Sequence, residues 1–147
     1  MKGVYGLLLK LPRDGEFKIG KLGPVKFKSG YYVYIGSALG GLKARIDRHR
    51  KTRKNLRWHI DYLVAKAILV EIIYAETAER KECNIAQGLS KYFNSIANFG
   101  SSDCVCQSHL FYSTSLNDLR RIVGGVFNKN GLSPLIMALQ YDCQGYI

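Results

Sequence analysis

YYVYIGSALGGLKARIDRH, residues 31–49, changes its pattern halfway. Residues 31–35 are all aromatic or β-branched, a composition that suits a pleated, half-buried strand. Gly40-Gly41 then punctuates the chain. From Leu42 the period becomes helical: Leu42 and Ile46 sit four apart and face the core, while Arg45 and His49 share an adjoining face. A strand that carries tyrosine hydroxyls into a core and then runs into a basic helix is the feature to explain.

Working outward, GVYGLLLKL (residues 3–11) predicts a first strand, ended by the turn signal LPRDGE. EFKIGKLGPVKFKSG (16–30) alternates apolar and basic residues between glycines and predicts a basic hairpin at a solvent edge. Downstream, KTRKNLR (51–57) reads as a basic loop, WHIDYLVAKA (58–67) as a short helix and ILVEIIYAE (68–76) as a strand. ERKECNIAQGLSKYF (79–93) is helical, and SLNDLRRIVGGVFN (115–128) is a late helix capped by Ser115. Between them, NFGSSDCVCQSHLFYST (98–114) is a polar loop ending in a short strand. The order implies an α/β or α+β domain with a small sheet. With no internal repeat or low-complexity linker, residues 1–147 read as a single domain.

The chain is 47% hydrophobic and reads as soluble and globular. No apolar run approaches the ~20 residues of a membrane helix. The N-terminus reads as a first strand, not a leader. Twenty-two Lys and Arg against 11 Asp and Glu give a net charge of +11, which points to an anionic partner, nucleic acid before a membrane surface. The four cysteines do not suggest a disulfide framework, so reduced thiols in a cytoplasmic protein are expected.

Three features bear on chemistry. Residues 43–57 hold eight Lys or Arg and the single acid Asp47, a density suited to phosphate neutralisation. This segment makes Lys43, Arg48, Arg50, Lys51, Arg53, Lys54 and Arg57 the candidate nucleic-acid contacts. Glu82 shares a helical stripe with Ile85, Ala86, Leu89 and Phe93. A carboxylate there is paired, holds a metal, or sits at the edge in the first helical turn. Cys104, Cys106 and His109 form a C-x-C-x-x-H cluster. Its spacing departs from the usual C-x₂₋₄-C and no fourth ligand is evident, so loop shaping is expected in preference to structural zinc.

Gly3-Val4-Tyr5 and Tyr34-Ile35-Gly36, followed by Arg45, His49 and a later Glu82, resemble the ordered motifs of the GIY-YIG nuclease superfamily. The stretches RWHIDYL and FGSSDCVCQSHLFY resemble its Uri-type endonuclease branch. The first motif departs by having Val4 where isoleucine is usual, and the asparagine many relatives carry is not placed securely among Asn94, Asn98 and Asp103. The resemblance implies a three-stranded antiparallel sheet flanked by helices, with the basic hairpin as an extra. Tyr5 and Tyr34 would stand side by side, their hydroxyls sharing one cleft with Arg45, His49 and Glu82. Gly36, Ser37, His59, Ser102 and Asp103 would line that cleft.

The activity implied is metal-dependent hydrolysis of DNA, with Glu82 holding one Mg²⁺ or Mn²⁺ and Arg45 stabilising phosphate charge. Tyr5, with Tyr34 or His49 as alternatives, would activate the attacking water. Lacking room for a separate DNA-reading domain, the chain is expected to cut structured or damaged DNA, with RNA as an alternative substrate and a repair protein as partner. A non-catalytic nucleic-acid-binding module is the competing reading. No membrane role is expected, since no long amphipathic basic helix with an aromatic face is evident.

Overall fold

The computed structural model describes residues 1–51, 55–101 and 104–139. At its centre lies strand β1 (Gly3–Leu11), buried at every position except Lys10. It pairs antiparallel with β4 (Gly30–Ala38) on one side and β5 (Ile68–Glu76) on the other. Being covered on both faces, β1 has an apolar run and no polar alternation. Beyond β4 come β7 (Leu110–Ser113) and the two-residue β6 (Asn94–Ser95), and beyond β5 comes β8 (Leu135–Ala138). The sheet order is β6-β7-β4-β1-β5-β8, and every pairing is antiparallel.

The fold is thus α+β, but the sheet has six strands where three were expected. The three middle strands are those with long apolar or aromatic patterns. The added ones have two to four residues, too short to show a period, and β6 and β8 among them form the sheet edges. A separate hairpin of β2 (Gly15–Lys18) and β3 (Pro24–Phe27) follows the predicted basic stretch.

Strand alternation sends side chains to two cores. Val4 and Leu8 of β1, with Val33 and Ile35 of β4, pack against α3 (Glu82–Leu89) and α4 (Leu116–Lys129) through Ile85, Leu89, Val123 and Phe127. Tyr5, Leu7 and Leu9 face the other way. They meet Ile46 of α1 (Leu42–Arg50), Ile60 and Leu63 of α2 (His59–Val64), and Phe27 of the hairpin. Full burial of each aliphatic side chain stabilises the fold by ~1.5–3 kcal/mol relative to exposure.

Local chemistry sets the helix starts. Gly41 has φ 127°, a conformation natural to glycine, and lets the chain turn from β4 into α1. The Leu42 N–H donates to Met1 O at 2.7 Å, tying the helix start to the chain's first residue. Ser115 Oγ accepts from Asp118 N–H and caps α4, as its sequence predicts. α3 starts at Glu82 and not Glu79, because Thr77 Oγ1 accepts from Glu79 N–H in a preceding turn. On β5, buried Glu71 is satisfied by Arg120 of α4 through two hydrogen bonds, at 2.6 and 3.1 Å. Among the described residues, no helix is long and apolar enough to cross a membrane.

Candidate active site

The β1–β4 register places Tyr5 opposite Gly36 and Leu7 opposite Tyr34. The two tyrosines are therefore diagonal neighbours on one sheet face, not directly opposed. Gly36 makes this arrangement fit: a methyl group there would lie 2.6 Å from Tyr5 Oη and 3.1 Å from Tyr34 Cε2. Above this face opens a cleft of about 1290 Å³. That exceeds the ~300–1,000 Å³ of ordinary small-molecule pockets. Tyr34, Gly36, Ser37, Arg45, Arg57, His59 and Glu82 line it, drawn from β4, α1, α2, α3 and the loop before α2. Ser37 Oγ is buried and has no hydrogen-bond partner among the described residues.

Tyr5 and His49 do not line the cleft; they lie beneath it. Each is only 1% exposed, and Tyr5 Oη is 2.8 Å from His49 Nε2. Burial pushes the Tyr5 phenol up to about 12, although the charge of Arg45 and its hydrogen bond to the phenol act against this. Tyr5 is therefore a neutral phenol at neutral pH, able to donate to the imidazole. Arg45 is held from two directions: its guanidinium donates to Ser37 O at 3.0 Å and lies 4.5 Å from the centre of the Trp58 ring.

Trp58 owes its position to Asp61. The fully buried Asp61 carboxylate accepts two bonds from Arg48, at 2.7 and 2.9 Å, and others from the Arg57 and Trp58 N–H groups. Burial alone would raise its pKa, but the Arg48 guanidinium and these N–H groups outweigh burial and hold it at about 2. Arg48 also lies 4.1 Å from the centre of the Trp58 ring. The guanidinium proposed from the sequence as a nucleic-acid contact is therefore engaged within the protein. His59 lines the cleft, with Nδ1 accepting from Gly100 N–H at 2.9 Å, and burial lowers its pKa.

Glu82, the first residue of α3, is the sole carboxylate among the described residues that line the cleft. Its side chain is 13% exposed, and Arg80 approaches no closer than 3.9 Å. Five cations among the described residues, Lys18, Lys21, Arg45, Arg57 and Arg80, line the same cleft. Lys18, Lys21 and Arg80 were missed in the sequence as site residues. The hairpin's alternating basic pattern was the available signal, but it reads equally as a solvated edge. Of the other basic candidates, Lys43 is exposed and pairs with Asp47, and Arg50 and Lys51 are exposed outside the cleft lining. Arg53, Lys54, Ser102 and Asp103 lie outside the described residues.

Beside the cleft, Cys83 of α3 joins Cys104, Cys106 and His109. Burial pushes the Cys83 and Cys106 thiols up, and neighbouring sulfurs add to the rise at both, Cys104 for Cys106. The sequence pattern C-x-C-x-x-H contained three of these four residues. Cys83 was missed because it arrives from another element, 26 positions before His109.

Residues 4–132 match the family model described as Domain of unknown function DUF123. No curated protein and no solved structure matches the chain.

Proposed function

We propose that this chain, which belongs to the family described as Domain of unknown function DUF123, is a metal-dependent endonuclease of GIY-YIG type acting on DNA. The observation that carries this reading is the convergence of Tyr34, Arg45 and Glu82, from three elements, on one open cleft lined, among the described residues, by five cations and one carboxylate. Such a surface attracts a polyanion, and its single acid is placed for chemistry and not for affinity.

The donor set suits a hard cation. Mg²⁺ and Mn²⁺ are commonly held by one or two carboxylates, with phosphate and water completing the shell, and the orphaned Ser37 Oγ supports a polar occupant nearby. Glu82 would hold the cation, which when bound polarises the phosphate and stabilises the leaving oxygen. Arg45, fixed by Ser37 O and Trp58, neutralises the non-bridging phosphate oxygens. Tyr34 faces the cleft and orients the attacking water. Tyr5 and His49 would serve as a relay beneath the cleft floor: a proton released in the cleft and passed down to Tyr5 Oη is matched by Tyr5 giving its own to Nε2, so no free phenolate is required. Lys18, Lys21, Arg57 and Arg80 hold the flanking backbone.

Incision of branched, damaged, single-stranded and duplex DNA, with RNA in parallel, tests the reading with and without Mg²⁺ or Mn²⁺. Metal-dependent cutting of at least one DNA substrate is expected. Tight binding without cutting under every condition supports a non-catalytic binding module instead. Preference for a branched or damaged substrate would fit recruitment by a repair protein.

A further inference from the structure

We propose that Cys83, Cys104, Cys106 and His109 form a closed structural zinc site that pins the start of α3 to the loop before β7. The four ligand atoms all lie within 4.8 Å of one another. Zn–S bonds of about 2.3 Å and a Zn–N bond of about 2.0–2.1 Å at tetrahedral angles require S···N separations of about 3.6 Å. His109 Nε2 lies 3.7 Å from Cys83 Sγ and 3.5 Å from Cys104 Sγ. The side chains therefore already stand close to the vertices that such an ion requires.

Their presentation is rigid where a metal site needs it. His109 is 4% exposed; its N–H donates to Phe99 O at 2.8 Å and its carbonyl accepts from Ile35 N–H at 3.0 Å. Cys104 and Cys106 flank Val105, which is 95% exposed, so the intervening side chain turns outward while its neighbours join the cluster. The three cysteines are free thiols and not a disulfide pair. Three thiolates and one imidazole are soft ligands in a tetrahedral set, which selects zinc over Mg²⁺ or Mn²⁺. Four protein ligands leave no open position, so the role is structural. The notable consequence is positional. Glu82 immediately precedes Cys83, and His109 lines the same cleft as Glu82, so the site would fix the carboxylate's backbone. This last consequence rests on the nuclease reading; the metal site itself does not.

Metal analysis of the full chain, purified without chelator or added metal, tests the site independently of cleavage. About one zinc per chain is expected. Cys83→Ser and Cys106→Ser should lose it, whereas Cys143→Ser should retain it. His109→Cys should also retain zinc, and its cobalt-substituted form should show a shifted tetrahedral thiolate spectrum, so the assignment does not depend on variants that fail to fold. Less than about a tenth of an equivalent of zinc after growth in zinc-supplemented medium would overturn the proposal. So would iron in its place, full retention by Cys83→Ser, or loss in a folded Cys143→Ser chain.

Discussion

Tyr5 Oη and His49 Nε2 meet at 2.8 Å directly beneath Gly36, with each side chain 1% exposed. Two buried polar groups from β1 and α1 thus satisfy one another under the cleft floor, and Arg45, one turn before His49, passes from the same helix into the cleft. A phenol and an imidazole placed this way hold structure and proton together.

Tyr5 and Tyr34 should therefore separate in their effects. Tyr5→Phe leaves a buried imidazole nitrogen without its phenol and should cost ~1–3 kcal/mol of stability as well as activity. Tyr34→Phe, at the cleft surface, should lower single-turnover cleavage while leaving the melting temperature within a few degrees. Thermal melts and cleavage on the two variants compare them directly. Equal melting losses would mean that both hydroxyls are structural.

Gly36→Ala introduces a methyl 2.6 Å from Tyr5 Oη and 2.7 Å from Tyr5 Cζ. The ring must shift and pull away from His49, so a loss of ~1–3 kcal/mol is expected by denaturant unfolding. Wild-type stability in this variant would show that the tyrosine can move without consequence.

Acid stability should report on Asp61. Its folded pKa, about 2, lies below the ordinary 3.8, so it contributes stability that is present above pH ~4 and lost as pH falls toward 2. Asp61→Asn should flatten that part of the curve and, by removing the carboxylate that accepts from Arg48, Arg57 and Trp58, destabilise the chain by ~1–3 kcal/mol at neutral pH. Urea titrations at pH 7 and pH 3 measure both effects. An unchanged pH dependence in the variant would remove Asp61 as the source.

Nucleic-acid affinity should depend on the hairpin as well as the basic helix. Replacing Lys18, Lys21 and Arg80 with Ala should weaken binding for all sequences alike. The slope of log K against log salt should fall by up to ~0.9 for each phosphate no longer neutralised. A slope unaffected by these changes but lowered by Arg50→Ala and Lys51→Ala would move the binding face away from the cleft.

How much of this was legible in the sequence follows from the range of each signal. β1 and β5 have the bounds their runs predict, because an unbroken apolar or β-branched stretch is a local property. α1 follows similarly from its leucine–isoleucine spacing and the glycine turn. β6 and β8 went unread: two residues, or the four of LIMA, gain strand character only from pairing with β7 and β5. The same limit applies at the site. Arg45 and Glu82 are conspicuous one at a time, but Asp61 becomes the anchor of Arg48 and Trp58 only after folding. Cys83 likewise meets its three partners only when α3 packs beside the loop.

Cleavage and binding by Glu82→Gln, measured on one DNA substrate across a Mg²⁺ titration, decide whether Glu82 holds the metal. The substitution keeps size and hydrogen-bonding capacity but removes the one negative charge among the described cleft-lining residues. Single-turnover cleavage should fall by at least ~10²-fold at every Mg²⁺ concentration, as expected when several kcal/mol of charge stabilisation are lost. DNA affinity should stay equal or rise, because a charge opposing phosphate has been removed. Cleavage at the wild-type rate in limiting Mg²⁺ would contradict the assignment of Glu82 and, with it, the account of the cleft as a metal-dependent nuclease site.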